Sequence, residues 1–270
     1  MVADGGSDDA PILMNSPLHC ERRDDVVWCT LARPPLNLFE PGLIGAIRET
    51  FQTLGADRTI RAAVVTGSGR AFTAGMDVHV LGGLDVAGAR ALITTLHDAI
   101  EAVHHAPFPV IAAVNGPCLG AGFELALACD IRVVTANSTF GLPEVRVGVP
   151  SVIEAALLPP LVGPGRAAEL LLTGDAIGAE TALAWGLVNR VTPTAELMAT
   201  VEGVVAKILA AGPTAIRLQK ELMLRWRYAD LGTAIQAGIN AFAAAYAGGE
   251  PAEGAAAFLA KRPAKFEAPH

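Results

Sequence analysis

Glu124 and the glycine-rich segment before it form the stretch of sequence best suited to chemistry. An apolar run of strand length, residues 110–114, ends at Asn115-Gly116-Pro117, and Gly120-Ala121-Gly122 then leads into a helical stretch, 123–129. Backbone N–H groups at a helix start lack acceptors, so they can bind an anion or a developing oxyanion. A carboxylate beside them indicates acid–base chemistry on a polarised carbonyl. The alternative is that Glu124 only complements the helix dipole.

A second acid follows the next strand in the same way. Residues 130–135 have the pattern of a strand, and the turn Phe140-Gly141-Leu142-Pro143-Glu144 comes shortly after it. A third acid, Glu154, stands three residues after Ser151 and fits a capping box at the start of a helix. We therefore expect Glu144 to join Glu124 in a site, and Glu154 to be a helix cap rather than a third catalytic acid.

The apolar pattern predicts alternating strands and helices up to about residue 195, and helices alone after it. Predicted strands are 26–31, 60–66, 110–114, 130–135 and 187–191, and predicted helices are 41–54, 89–103, 123–129, 179–185, 196–211, 213–228, 231–247 and 251–260. This order indicates an α/β core over residues 16–195, a flexible lead over 1–15 and a helical region over 196–270. The last region is too slight to bury its own apolar faces, so we expect it to pack against other subunits.

Composition excludes several classes of function. Hydrophobic residues make up 52% of the 270 residues, charged residues only 17%, and the net charge is −7, which argues against disorder and nucleic-acid binding. No apolar run reaches the roughly 18 residues that span a bilayer, and the N-terminus lacks the regions of a signal peptide. The sequence offers neither a C-x-x-C pair nor an H-E-x-x-H metal site. These features predict a cytoplasmic protein that neither associates with a membrane nor binds a metal ion.

A glycine pair after the second predicted strand does not make a dinucleotide site. Gly67-Ser68-Gly69 follows residues 60–66, but Phe72 occupies the third glycine position of a G-x-G-x-x-G pattern. The four cysteines lie in apolar surroundings, which is typical of core thiols in a reducing cytosol: Cys20, Cys29, Cys118 and Cys129.

Several longer motifs occur in order along the chain. They are PVIAAVNG (109–116), LGAGFELA (119–126), ACDIR (128–132), FGLPEVRVG (140–148), LTGD (172–175), ALAWGLVN (182–189) and the tail EGAAAFLAKR (253–262). With these motifs, the chain resembles the crotonase superfamily of enoyl-coenzyme A hydratases and isomerases over about residues 26–266. The resemblance implies a spiral of repeated ββα units with a C-terminal helical trimerisation region. It also implies homotrimers, or hexamers of stacked trimers, that bind acyl-coenzyme A thioesters.

The resemblance also assigns roles to residues of the site. It implies an oxyanion hole formed by the backbone N–H groups of Met76 and Ala121, and a pair of acids, Glu124 and Glu144, around the substrate's double bond. The remaining implied substrate and coenzyme A contacts are Arg33, Ala74, Gly75, Asp77, Gly120, Lys261 and Arg262. Of these, Asp77 is expected to shape the oxyanion loop, and the tail residues to reach a neighbouring subunit's nucleotide.

The implied reaction is the addition of water across the 2,3 double bond of an enoyl thioester. In this hypothesis Glu124 positions and activates the water, and Glu144 exchanges the proton at C2, because burial and like charge can separate two carboxyl pKa values. Double-bond isomerisation is the first alternative activity on the same scaffold. Thioester hydrolysis or decarboxylation is a third and weaker alternative. A non-catalytic acyl-coenzyme A binder is the alternative of a different class. No redox or metal cofactor is implied, since coenzyme A arrives as part of the substrate.

The segment after Pro150 departs from the family pattern. Many hydratases continue there with a glycine-rich stretch, whereas this chain has SVIEAALLPP over residues 151–160. We expect a capped apolar helix that reshapes the wall near the acyl end. This change favours a branched, aromatic or otherwise specialised acyl group over a straight fatty chain.

Overall fold

The computed structural model describes residues 16–266, so the expected flexible lead over residues 1–15 lies outside the described part. The strands are β1 (Leu18–Arg23), β2 (Val26–Leu31), β3 (Ala62–Gly67), β4 (Val110–Val114), β5 (Cys118–Leu119), β6 (Ile131–Thr135), β7 (Thr139–Gly141), β8 (Ala176–Gly178) and β9 (Arg190–Thr192). The α-helices are α1 (Pro41–Ala56), α2 (Val78–Leu81), α3 (Val86–His104), α4 (Ala121–Ala128), α5 (Leu158–Val162), α6 (Pro164–Thr173), α7 (Ala179–Ala184), α8 (Leu197–Leu209), α9 (Pro213–Trp226), α10 (Leu231–Ala245) and α11 (Glu250–Leu259). Short 3₁₀ turns occupy Pro143–Val147, Ile153–Leu157 and Thr194–Glu196.

The strands form two sheets, and the chain alternates between them. The larger sheet has the order β1-β2-β3-β4-β6-β9 and is parallel except for the antiparallel pair β1-β2. The smaller sheet has the order β5-β7-β8. The chain passes from β4 to β5 and then into α4, and it passes from β6 to β7 and then into a 3₁₀ turn. These are successive ββα-like turns of one α/β fold, as the resemblance implies.

Strand β4 lies at the centre of the larger sheet and is buried on both faces, which explains its unbroken apolar run. Val110, Ala112 and Val114 belong to the main core, which also contains the buried faces of α1, α3 and α4. Ile111 and Ala113 point to the opposite face and belong to a second cluster. The strand is therefore packed on both sides, which fixes the point from which the next loop starts.

Helix α8 covers that second face of the sheet within the same chain. Leu197, Val201, Val204 and Val205 of α8 are buried in the second cluster, together with residues from β2, β3, β4 and β6. The region expected to pack against other subunits from residue 196 onward therefore begins with a helix that serves the chain's own core. An apolar helix face cannot show from sequence alone which surface covers it.

Helix α10 contrasts with α8 because its large apolar side chains are exposed. They recur at intervals of three or four residues, which places them along one side of the helix: Leu231, Ile235, Ile239, Phe242 and Tyr246. Apolar surface of this extent on one helix is typical of a face that another protein surface covers.

The cysteines lie as expected, whereas the first strand was not predicted. Cys29, Cys118 and Cys129 are buried free thiols, as predicted, and Cys20 is a half-buried one. Strand β1 is absent from the prediction because three of its six residues, Glu21, Arg22 and Arg23, are exposed charges that hide the strand pattern.

Within residues 16–266, no helix combines the length and the apolar character needed to cross a bilayer.

Candidate active site

Gly120 sets the geometry of the turn before α4. Its backbone has φ 54° and ψ −132°, a conformation that residues with a Cβ rarely adopt. A Cβ at this position would lie only 2.6 Å from Oε1 of Glu144. The glycine therefore allows the Glu144 carboxyl group to approach the first residue of α4, which is Ala121.

The loop that contains Gly75 runs beside this turn. Thr73 N–H donates to Pro117 O at 3.0 Å, and Leu119 N–H donates to Thr73 O at 3.0 Å, so the two loops are hydrogen-bonded to each other. Gly75 has φ 93°, and a Cβ there would lie 3.0 Å from Leu119 O. The backbone after Gly75 and the backbone after Gly120 are thus held in close contact.

The N–H groups of Met76, in the first loop, and of Ala121, at the start of α4, have no acceptor among the described residues. On either side of Met76, Phe39 N–H donates to Gly75 O and Asp77 N–H donates to Phe39 O, both at 2.9 Å. The loop is therefore rigid although the Met76 donor is free. Two fixed donors without acceptors suit an oxygen that becomes negatively charged during a reaction.

Glu124 is almost fully buried, with 3% of its surface exposed. Its Oε1 accepts a hydrogen bond from Ala155 N–H at 3.3 Å. Burial, followed by the negative charges of Glu144 and Glu154, raises the pKa of Glu124 to about 9. The carboxyl group is therefore protonated at neutral pH and can donate a proton.

Glu144 is half-buried and accepts a hydrogen bond at Oε2 from Ser151 Oγ at 2.7 Å. The turns that carry the two acids are fixed to each other through their neighbours, because the rings of Phe123 and Phe140 pack with centroids 5.6 Å apart. Both rings are fully buried, and such a pair contributes about 0.5–1.5 kcal/mol beyond its burial. This packing fixes the segments that carry Glu124 and Glu144 relative to each other.

The expected capping box at residues 151–154 is wrong. Ser151 donates its hydroxyl to Glu144, and Glu154 Oε1 lies 2.8 Å from Nδ1 of His97, so both side chains that a box requires are engaged elsewhere. The segment forms a 3₁₀ turn, Ile153–Leu157, whose N-cap Val152 makes no side-chain capping bond. Glu154 is consequently a buried acid next to the site rather than a helix cap, and the expected capped helix is a 3₁₀ turn followed by α5.

A surface pocket of about 540 Å³ lies next to the loop that bears Met76. It is lined by Ala32, Arg33, Pro34, Pro35, Leu36, Leu38 and Asp77. Arg33 is exposed and donates to Glu40 Oε1 at 2.7 Å, and Asp77 caps α2 by accepting from His79 N–H at 2.9 Å. Ala74 N–H donates to Leu36 O at 2.9 Å, which ties the Met76 loop to the segment that lines the pocket.

The tail residues lie at an exposed helix end. Lys261 has φ 51°, and Arg262 forms an ion pair with Glu253 at 2.7 Å. The position of these side chains in one subunit does not test whether they meet a neighbour's nucleotide, so that role stays a prediction.

His97 and Ser151 are the site residues that the sequence analysis missed. Ser151 had a signal, since it stands in the segment that departs from the family pattern, but the capping box explained it more simply. His97 lies in the middle of α3, 57 residues before Glu154, and no local pattern connects them.

Comparison with known proteins agrees with this geometry. A family model described as enoyl-CoA hydratase/isomerase matches residues 21–269. A crotonyl-CoA hydratase of Syntrophomonas wolfei is 36% identical over 252 residues, which cover 91% of this chain and 96% of the relative. A short-chain-enoyl-CoA hydratase of Clostridium acetobutylicum is 32% identical, covering 90% and 94%. The crystal structure of an enoyl-CoA hydratase from Bacillus anthracis superposes with a TM-score of 0.89 at 31% identity, covering 93% and 99%. The resemblance predicted from the motifs is confirmed.

Proposed function

We propose that this chain, which belongs to the enoyl-CoA hydratase/isomerase family, is an enoyl-CoA hydratase that adds water across the 2,3 double bond of an enoyl-CoA thioester. The observation that carries the proposal is the site's composition: two acceptor-free backbone N–H groups beside two carboxyl groups, Glu124 and Glu144. Hydratases at 32–36% identity support the reaction type.

The N–H groups of Met76 and Ala121 serve as the oxyanion hole in this proposal. When water attacks C3, electrons move through the conjugated system and negative charge collects on the thioester oxygen. Donors that are already oriented stabilise this enolate without reorganisation. Ala121 is the first residue of α4, so the positive end of the helix dipole acts at the same point.

We assign the acid and base roles opposite to the expected division. Because Glu124 is protonated below about pH 9, it is the proton donor to C2. Glu144 then accepts a proton from the attacking water, and the hydrogen bond from Ser151 Oγ supports its negative charge. Transfer of a proton from Glu144 back to Glu124 restores the site, so each turnover consumes one water and no other reactant. No redox or metal cofactor takes part.

Coenzyme A enters as part of the substrate, and we assign its binding to the pocket at Arg33 and Asp77. The pocket adjoins the Met76 loop, and Arg33 offers an exposed guanidinium for phosphate groups. Lys261 and Arg262 are assigned to the nucleotide of a neighbouring subunit. These assignments follow from the family resemblance and the exposure of the side chains.

A homotrimer, or a hexamer of two trimers, is the proposed assembly, and the exposed apolar side of α10 supports it. We expect light scattering to give a mass of three or six times the 27.8 kDa of one chain. Replacing Ile239 and Phe242 by Asp should shift the mass towards one chain, because charges would then be buried at the interface. An unchanged mass in that variant would contradict a role of α10 in assembly.

The proposed activity is tested by incubating the protein with crotonyl-CoA and a panel of branched and aromatic 2-enoyl-CoA thioesters. We expect the absorbance of the conjugated enoyl thioester to fall as water adds, and the panel to rank the acyl groups. If no 2-enoyl thioester is consumed while a 3-enoyl thioester gains that absorbance, the protein is an isomerase. If neither reacts although coenzyme A thioesters bind, it is a non-catalytic binder.

A further inference from the structure

Glu154 is a buried acid that the proposed reaction does not use. Only 7% of its surface is exposed, and Oε1 lies 2.8 Å from Nδ1 of His97. Its other oxygen, Oε2, is buried and has no hydrogen-bond partner among the described residues. A buried, half-satisfied carboxyl group costs free energy of folding, so its presence calls for a reason.

The backbone before Glu154 adopts an unfavourable conformation. Ile153 has φ 41°, a region that is strained for a β-branched residue. This conformation begins the 3₁₀ turn that holds Glu154 in the interior. The next residue, Ala155, donates its N–H to Oε1 of Glu124 at 3.3 Å. The same strained turn therefore contacts Glu124 through its backbone and buries a second carboxyl group beside it.

The charged and titratable groups around this pair come from two elements. Glu144 acts on Glu124 from the turn Pro143–Val147. From α3, His97 contacts Glu154, and Glu101 lies 3.9 Å from Nε2 of His97. Burial raises the pKa of Glu154, while the hydrogen bond and charge of His97 oppose that rise.

We propose that Glu154 is a positioning residue of this site: held by His97, its carboxylate places a fixed negative charge behind Glu124 and keeps the Glu124 proton in place for transfer to C2. Like charges disfavour a second ionisation close by, and the effect is large where water is excluded. The inference rests on the proposed function for its consequence in catalysis, but the interaction between the two carboxyl groups is a property of the free protein.

The direct test is an infrared titration of the free protein. We expect the wild type to contain a protonated carboxyl band that titrates near pH 9 and is missing in Glu124→Gln. In Glu154→Gln this band should titrate lower, by about one pH unit. If the titration moves from about 9 to about 8, kcat/KM should fall about threefold at pH 8.5 and remain nearly unchanged at pH 7. A residue that only supports the fold would lower activity equally at both pH values.

Two further variants make the test independent of the folding of Glu154→Gln. His97→Gln removes the ring nitrogen that holds Glu154 Oε1 at 2.8 Å, so the Glu154 carboxyl group is no longer fixed behind Glu124 and the Glu124 band should also titrate lower. Glu101→Gln changes an exposed carboxyl on the same helix and should leave the band in place. An unchanged Glu124 titration in His97→Gln and Glu154→Gln would overturn the proposal. Because the infrared readout needs no turnover, it decides the matter even if no enoyl thioester reacts.

Discussion

Glu124→Gln is expected to lower kcat by about 10³-fold, with a much smaller change in KM, because removal of a general acid typically costs 10²–10⁴-fold. The amide keeps the size of the side chain and can still accept the hydrogen bond from Ala155 N–H, so the fold should be retained. What it loses is the proton for C2. The measurement is steady-state hydration of the best enoyl thioester from the panel.

A matched control separates this role from a simple helix-dipole effect. Glu180 is also an acid in the first turn of a helix, α7, but it is exposed. Glu180→Gln should therefore leave kcat unchanged within about twofold, since exposed dipole interactions contribute only about 0.3–1 kcal/mol to stability. Equal losses in the two variants, or a loss of less than tenfold in Glu124→Gln, would contradict the catalytic role.

The pH dependence of the wild type decides between the two possible roles of Glu124. As an acid, it must hold its proton, so kcat/KM should fall as pH rises through about 9. As a base, it would have to lose the proton, and kcat/KM would rise over the same interval. Retention of the alkaline fall in Glu124→Gln would mean that another group titrates there.

Local patterns were sufficient to predict β4 and α4, the strand and the helix on either side of the central turn. The apolar run of β4, the break at Asn115-Gly116-Pro117 and the glycine-rich turn specify their conformation through nearby residues alone. The bounds of β2 and β4 were predicted without error, and those of α4 within two residues. The position of Glu124 followed from these elements, whereas Glu144 comes after β7, a strand that the sequence pattern did not reveal.

The contacts around Glu154 could not be predicted because they depend on residues far apart in the chain. Ser151 and Glu154 satisfy a local capping rule, but the folded chain offers each a stronger partner, Glu144 and His97 respectively. A carboxylate that is hydrogen-bonded in the interior outweighs a cap at an exposed turn. The protonation of Glu124 has the same origin, since its largest cause is burial by the whole fold.

The second large loss of kcat is expected when a donor of the oxyanion hole is removed. These donors belong to the backbone, so no ordinary substitution removes them. Replacing Ala121 by lactic acid through an expanded genetic code converts its N–H into an ester oxygen and keeps the methyl side chain. We expect kcat to fall by about 10²–10³-fold, the usual loss for one oxyanion donor, with little change in thioester affinity. The same replacement of the Met76 N–H, with the hydroxy acid analogue of methionine, should give a loss of similar size.

The control for this experiment is an ester at the next residue, Gly122, made with glycolic acid. An ester also weakens the carbonyl of the residue before it, and Gly120 O accepts from Phe123 and Glu124 N–H at 2.8 and 3.0 Å. The Gly122 ester weakens a carbonyl of the same helix start but leaves the Ala121 and Met76 donors intact. A large loss for Ala121 and Met76 with a small loss for Gly122 therefore assigns the effect to the two donors. Equal losses at Ala121 and Gly122 would instead mean that the helix start has been destabilised, and the proposed enolate would need another source of stabilisation.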